Sequence, residues 1–128
     1  MHMSARPTIR VVVAAREELR RTAGHALTAA GMKVAADCET TAELLAAVTR
    51  ERPDVCVLDR ELSGGAFAAL AAISSPGRPP KVLVVGGRGS PAEVRAAQLA
   101  GAAGCLPGDT DALSLAAAVA ALVPKEES

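Results

Sequence analysis

The feature that most limits the fold of this chain is an alternation of short apolar runs with longer segments of helical character. Three runs, VVV, VCVL and VLVV, are continuously apolar, which is typical of central parallel strands covered by helices on both faces. Strands that alternate with helices predict a parallel α/β sheet. The predicted strands are Ile9–Ala14, Lys33–Ala36, Asp54–Leu58, Lys81–Val85 and Ala103–Leu106.

Helix start and stop signals occupy the segments between these runs. Ser90 and Glu93 have the spacing of a capping box, with Pro91 at the first helical position, and Thr40 with Glu43 has the same spacing. With right-handed crossovers, such βα units predict a three-layer sandwich. The remaining signals are an apolar repeat that ends before Gly31, an apolar helix over Ala66–Ile73 and a last helix from a cap at Asp111 to about Val123.

Length and charge indicate one globular domain. The chain has 128 residues with 14 basic and 14 acidic side chains, and 50% of its residues are hydrophobic, so disorder and direct nucleic-acid binding are both disfavoured. It has no apolar run of membrane-spanning length and no signal-peptide pattern, which predicts a cytoplasmic protein. We expect the domain at residues 9–123, between an N-terminal tail of residues 1–8, which an expression vector could have supplied, and a linker or C-terminal tail at residues 124–128.

The sequence offers little support for catalysis or for a structural metal site. Two histidines, one of them at position 2, do not suffice for a Ser/His/Asp or Cys/His arrangement, and we expect His25 at the surface. Cys38, Cys56 and Cys105 have wide spacing unlike any CxxC pattern. We therefore expect free thiols, no enzyme activity and no metal at these residues.

Asp59 is the most conspicuous polar residue at the end of a predicted strand. In open parallel sheets, sites form beyond the carboxyl ends of the strands. Asp59 follows the apolar Val57-Leu58 and precedes the turn residues Ser63-Gly64-Gly65. It either caps the loop or accepts a phosphoryl group.

The segments IRVVVA, RPDVCVLD, LSGG, KVLVV and AGAAGCLPGD resemble those of response-regulator receiver domains, the CheY-like domains, of the kind attached to helix-turn-helix output domains. The resemblance extends from Ile9 to Leu122. It implies a doubly wound α/β sandwich with parallel strands in the order 2-1-3-4-5, and Asp59 at the phosphoacceptor position. It also implies a sensor histidine kinase and a second copy of the chain as partners, with DNA contacted only through a separate output domain.

The resemblance also marks positions at which this chain departs from a working receiver. Such a domain holds Mg²⁺ with an acidic pair after the first strand, where this chain has Ala15 and Arg16. Its hydroxyl, lysine and aromatic switch positions are occupied here by Gly86, Gly108 and Cys105, respectively. Because phosphoryl transfer depends on a metal and on cations that neutralise developing charge, we expect impaired phosphorylation, and magnesium as a cofactor only if the site functions nevertheless.

Arg16 suggests what replaces the metal. A guanidinium at this position is expected to form a salt bridge with Asp59 and to neutralise it permanently. In the alternative, Arg16 points to solvent, as most arginines do. Glu17 would supply a second carboxylate only if the register of the loop shifts.

The loop after the fourth predicted strand is a second candidate site. Gly87 to Ala92 matches GxGxxA between a strand and a helix, so a nucleotide or another anion bound by backbone N–H groups is an available interpretation. The dinucleotide fingerprint, however, belongs to the first βα turn, and a merely flexible loop is the alternative. The candidate residues are Gly86, Gly87, Arg88, Gly89 and Ser90.

The last predicted helix carries no charged face. An alanine-rich outer face permits close approach of another helix and predicts an interface with a second copy or a partner, although alanine is also simply the best helix former. The expected core stripe is Leu115, Ala118, Val119 and Leu122, and the expected interface is Ala116, Ala117, Ala120 and Ala121.

Residues and resemblance together predict a receiver domain of a two-component response regulator, acting in phosphorelay signal transduction and transcription regulation. The domain is expected to be atypical, with impaired Mg-dependent phosphorylation, and to act as a dimerisation and partner-binding module. Two alternatives stay open: a conventional phosphoacceptor at Asp59, and a small-ligand or nucleotide sensor at the Gly86–Ser90 loop.

Overall fold

A computed structural model describes residues 8–74 and 78–123, in which five strands alternate with five helices. The predicted tail at 1–8, except for its last residue, and the predicted linker at 124–128 lie outside the described residues. The strands are β1 (Arg10–Ala14), β2 (Lys33–Cys38), β3 (Val55–Asp59), β4 (Lys81–Val85) and β5 (Gly104–Leu106). The helices are α1 (Glu17–Ala29), α2 (Thr41–Glu51), α3 (Ala66–Ile73), α4 (Pro91–Leu99) and α5 (Ala112–Leu122).

The strands form one parallel sheet in the order β2-β1-β3-β4-β5, which confirms the predicted fold class and strand order. Ala14 at the end of β1 pairs with Leu58, and Asp59 at the end of β3 pairs with Val85 at the end of β4. Parallel pairing therefore brings the carboxyl ends of these three strands to one edge of the sheet, where Asp59 lies in the middle.

The core consists of two apolar clusters, one on each face of the sheet. Val12 and Leu58 face the side covered by α2, α3 and α4, whereas Val13 and Val57 face the side covered by α1 and α5. Every residue of β3 is buried. Both faces of the central strands pack against helices, which explains why these strands are continuously apolar and confirms the prediction from the sequence.

The helix caps agree with the sequence in part. Ser90 and Glu93 form the complete capping box, with Pro91 at the start of α4. At α2 only half of the predicted box forms. The Thr40 hydroxyl accepts the N–H of Glu43 at 3.2 Å, but the carboxylate of Glu43 accepts the N–H of Glu39 instead of that of Thr40.

The predicted interface on α5 needs one correction. Ala116 is only 8% exposed and belongs to the core, because α5 packs against α1 as well as against the sheet and therefore buries a wider face than its predicted stripe. The exposed apolar residues of this helix are Ala112, Leu113, Ala117, Ala120 and Ala121, with Leu113 85% exposed.

The cysteines are free thiols, as predicted. Cys38 and Cys56 are buried and Cys105 is half-buried, and burial raises the pKa of Cys56 to about 12. His25 is exposed on α1, as expected. Within residues 8–74 and 78–123, no helix has the length and apolar character needed to cross a bilayer.

Candidate functional site

Asp59 is the one fully buried charged residue in the described part of the chain, with 0% of its surface exposed. It ends β3, and the next residue turns towards β4, since the N–H of Arg60 donates to the carbonyl of Val85 at 2.8 Å. Burying a carboxylate is costly unless hydrogen bonds and an opposite charge compensate for lost hydration. The surroundings of Asp59 must therefore supply both.

Arg16 supplies most of this compensation. Its main-chain N–H and its Nε both donate to Oδ2 of Asp59 at 2.9 Å, and its Nη2 donates to Oδ1 at 3.3 Å. The N–H of Glu61 donates to Oδ1 at 2.8 Å. The predicted salt bridge is thus confirmed, in a bidentate geometry, and the alternative in which Arg16 points away from the pocket is wrong.

The turn between β1 and α1 places Arg16 above the strand end. Ala15 is fully buried, and its N–H donates to the carbonyl of Cys38 at 2.9 Å. Arg16 follows as the extended N-cap of α1, with its side chain 63% exposed. The guanidinium therefore covers the buried carboxylate on the solvent side.

Two opposing effects determine the ionisation of Asp59. Burial acts to raise its pKa, but the hydrogen bonds from Arg16 and Glu61 and the positive charge of Arg16 outweigh burial, so the pKa of Asp59 lies below its ordinary value. The hydrogen bond and the charge of Asp59 in turn raise the pKa of Arg16. Both groups stay ionised around neutral pH, and the pair has no net charge.

This pair predicts a pH dependence of stability. Because the folded-state pKa of Asp59 is lower than its unfolded value of about 4, its contribution is present above that value and is lost as the pH falls through the folded-state pKa. Asp59→Asn is expected to unfold about 1–3 kcal/mol more easily at neutral pH. Urea denaturation near pH 7 and near pH 3 should show this difference shrinking in acid. An unchanged difference would contradict the ionic origin of the effect.

The residues around Asp59 do not fit a magnesium ion. Mg²⁺ requires an octahedral set of oxygen ligands, whereas the flanking side chains are the methyl group of Ala15 and the cation of Arg16. Asp59 already accepts four hydrogen bonds. Glu17 pairs with Arg21 at 3.0 Å instead of reaching the site. Among the described residues, no group of three His, Cys, Asp or Glu side chains could hold a metal.

Gly86, at the expected hydroxyl position, lies against Arg60. A Cβ atom at Gly86 would lie 2.5 Å from the Cβ of Arg60, and the φ of Gly86 is +148°, a conformation that favours glycine. A larger residue at this position therefore conflicts with the path of the chain after Asp59. The close packing of Gly86 against Arg60 therefore leaves no room for a hydroxyl-bearing side chain at this position.

Arg60 follows Asp59 at the end of β3, and the sequence predicts no particular role for it. Its guanidinium carbon lies 5.6 Å from the centre of the Phe67 ring, within the range of a cation–π contact. Its Nη1 is the one buried side-chain nitrogen or oxygen without a hydrogen-bond partner in the described chain. The charge of Arg60 acts on both Glu93 and Cys105. The sequence signal that points to Arg60 is its position directly after Asp59, at the end of a predicted buried strand.

The Gly86–Ser90 loop is ordered around Glu93. The N–H groups of Arg88 and Ser90 donate to Oε1 of Glu93 at 2.9 and 3.1 Å, and these hydrogen bonds, led by that of Ser90, hold the pKa of Glu93 below its usual value. A Cβ at Gly87 would lie 2.5 Å from the same carboxylate. The donors proposed for an external anion therefore already serve Glu93, which a ligand would have to displace.

Gly108, at the expected lysine position, borders a small cavity beside Arg16. The cavity measures about 330 Å³ and also contacts Gly86 and Thr110. A Cβ at Gly108 would lie 3.5 Å from the nearest atom, the Cα of Gly86, so a side chain fits there. Cys105 lies in β5, and burial raises the pKa of its thiol, with the charge of Arg60 opposing this effect.

No protein-family model and no curated protein sequence matches the chain, but solved structures do. The signal receiver domain of the response regulator NarL from Mycobacterium tuberculosis has a TM-score of 0.81 and 30% identity, over 89% of this chain and 94% of that one. The chemotaxis response regulator CheY4 of Vibrio cholerae has a TM-score of 0.83 and 20% identity, over 91% and 100%. A two-component response regulator of the LuxR family from Aurantimonas has a TM-score of 0.77 and 22% identity, over 91% and 85%. The chain is similar to the NarL domain in both sequence and fold, whereas its similarity to the other two proteins shows the fold alone.

Proposed function

Because this chain belongs to the receiver domains of two-component response regulators, we propose that it is an atypical receiver in which Arg16 replaces the metal and keeps Asp59 from accepting phosphate. Its output then depends on binding a second copy or a partner and not on phosphorylation. A sensor kinase as partner, transcription regulation through a separate output domain and a cytoplasmic location remain predictions.

The observation that carries this proposal is the set of hydrogen bonds at Asp59. An ionised carboxylate offers about four lone-pair positions, and Asp59 accepts four hydrogen bonds, three of them from Arg16. A nucleophilic oxygen needs a free lone pair directed at phosphorus, and the developing charge on the phosphoryl oxygens needs a cation beside them. The hydrogen bonds from Arg16 occupy lone pairs of the nucleophilic carboxylate, so its guanidinium is not available to stabilise the charge of the transferred phosphoryl group.

The test is a phosphorylation assay read by intact mass. The protein is incubated with Mg²⁺ and acetyl phosphate, alongside Asp59→Asn as the control that lacks the acceptor. We expect neither protein to gain the mass of a phosphate adduct. An adduct on the native protein that is absent from Asp59→Asn would support a conventional phosphoacceptor and contradict the proposal.

The dimerisation part of the proposal rests on the exposed face of α5. Leu113 is 85% exposed at one end of a face that continues through Ala117, Ala120 and Ala121 without a charged residue. Exposed apolar surface of this kind marks interaction sites, and alanine lets a second helix approach closely.

Sedimentation velocity tests this part. We expect the native chain to dimerise and Ala117→Glu to weaken the dimer by about tenfold or more, because each copy would then bury an unpaired carboxylate in an apolar interface. Ala46→Glu, at an exposed alanine of α2, is the matched control and should dimerise normally. A native monomer at high micromolar concentration, or equal behaviour of the two variants, would contradict the assignment of this face.

A further inference from the structure

A cationic cavity lies at the opposite end of the sheet from Asp59. It measures about 650 Å³ and is formed where α2 and α5 end and where β3 and β4 begin. Arg52, Arg78 and Lys81 contribute three positive side chains to its wall. The other lining residues are Val48, Pro53, Asp54, Pro80, Leu122 and Val123.

Among residues 8–74 and 78–123, no acidic side chain forms a salt bridge with the cations of this cavity. Within the described chain, the five salt bridges involve other cations, and none includes Arg52, Arg78 or Lys81. Asp54 is the one acidic residue in the wall, and its Oδ2 accepts the main-chain N–H of Arg10 at 2.9 Å. The part of the wall that the structure describes therefore carries three positive charges against one negative charge.

The backbone at Arg52 is strained. Its φ of +47° is the one positive value at a non-glycine position in the described chain. It terminates α2, with its N–H donating to the carbonyl of Val48 at 3.0 Å. Glycine is the residue that best tolerates this left-handed conformation. Arg52 thus lies at a position whose backbone conformation favours glycine, and unfavourable backbone conformations are often found at ligand sites.

We propose that this cavity binds a small molecule that carries at least two anionic groups, such as phosphate or carboxylate groups. The volume is in the range of small-molecule sites, which combine apolar walls with a few convergent charged groups. Here the prolines, Val48 and Leu122 form the apolar wall, and the three cations supply the counter-charges. Bound ligand would contact the last residues of α5, far from Asp59. This site is independent of the proposed function.

Isothermal titration calorimetry tests the proposal with pyrophosphate, citrate and adenosine diphosphate as probes, in chloride buffers of matched ionic strength. We expect saturable one-site binding of at least one probe, and comparison of pyrophosphate with citrate distinguishes phosphate from carboxylate recognition. Arg78→Gln combined with Lys81→Gln should weaken this binding about tenfold or more.

Arg52→Gly separates loss of binding from loss of folding. It removes one cation and relieves the left-handed strain, so binding should weaken while the melting temperature stays level or rises. Arg95→Gln, an exposed cation on α4, is the matched control and should bind normally. Three results would overturn the proposal: no saturable binding of any probe, binding unaffected by the Arg52, Arg78 and Lys81 variants, or an equal loss in Arg95→Gln.

Discussion

Replacing Ala15 and Arg16 together with aspartate is expected to create a magnesium site at Asp59, whose native surroundings do not fit the ion. The double variant removes the guanidinium that occupies Asp59 and adds two carboxylates at the end of β1, next to the end of β3. Three clustered carboxylates repel one another, so the variant alone should be destabilised. A divalent cation with oxygen preference relieves that repulsion.

The expected size of this effect is at least a hundredfold in apparent Mg²⁺ affinity. At a Mg²⁺ concentration of about 100 times the dissociation constant, linkage should raise the free energy of unfolding of the variant by about 2.7 kcal/mol. Urea denaturation with and without Mg²⁺ measures this difference, and intact mass after acetyl phosphate treatment shows whether Asp59 becomes an acceptor.

Two control variants test whether the Mg²⁺ response requires both the loss of Arg16 and the added carboxylates. Ala15→Asp alone leaves Arg16 on Asp59 and should not respond to Mg²⁺ differently from the native chain. The Ala15→Asn and Arg16→Asn double variant removes the guanidinium without adding charge and should also lack a response. If the native protein gained as much stability from Mg²⁺ as the aspartate variant, Arg16 would not be what excludes the ion.

Replacing Gly86 with threonine, which would place a hydroxyl where the resemblance to receiver domains implies one, is expected to destabilise the domain by about 3 kcal/mol. The new Cβ would lie 2.5 Å from the Cβ of Arg60, and the φ of +148° is unfavourable for a side chain. Gly108→Lys adds a side chain at the position where the resemblance to receiver domains implies a lysine, and its Cβ would lie 3.5 Å from the nearest neighbouring atom. This control should change stability by less than about 1 kcal/mol.

A double-mutant cycle identifies the contact. Arg60→Gly removes the Cβ that threonine would meet, whereas Arg60→Ala keeps it. The cost of Gly86→Thr should therefore fall by about 1–2 kcal/mol in the Arg60→Gly background and stay nearly the same in the Arg60→Ala background. Equal costs in both backgrounds, measured by urea denaturation, would mean that backbone strain at Gly86 accounts for the whole effect.

Most of the fold could be predicted because its signals are local. Continuous apolar runs marked the central strands, and β4 and α3 have the predicted bounds. The predicted contact between Arg16 and Asp59 also depended only on which strand ends are neighbours. Once the strand order was taken from the resemblance, the two residues had to lie at the same edge.

The rest could not be read from the sequence because it depends on how elements pack. The apolar pattern of α5 predicts Ala116 on the exposed face, and the packing of α1 against α5 buries it. Arg60 contacts Phe67 of α3 and faces Gly86, and Gly86 lies on a loop that is distant from Arg60 in sequence. Glu93 was identified as a cap, but its second role as acceptor for the N–H of Arg88 requires the curvature of the loop.

The ion pair at the end of β1 and β3 has a consequence for how a cell could use this domain. If Arg16 prevents the pocket from binding Mg²⁺ and from reacting with phosphoryl donors, the state of Asp59 does not change with the supply of phosphoryl donors or with the activity of a kinase. The number of copies would then be one of the quantities left to vary, together with the amounts of any partner and of a ligand of the cationic cavity. Mass action would convert changes in synthesis or proteolysis of the chain into changes in assembly.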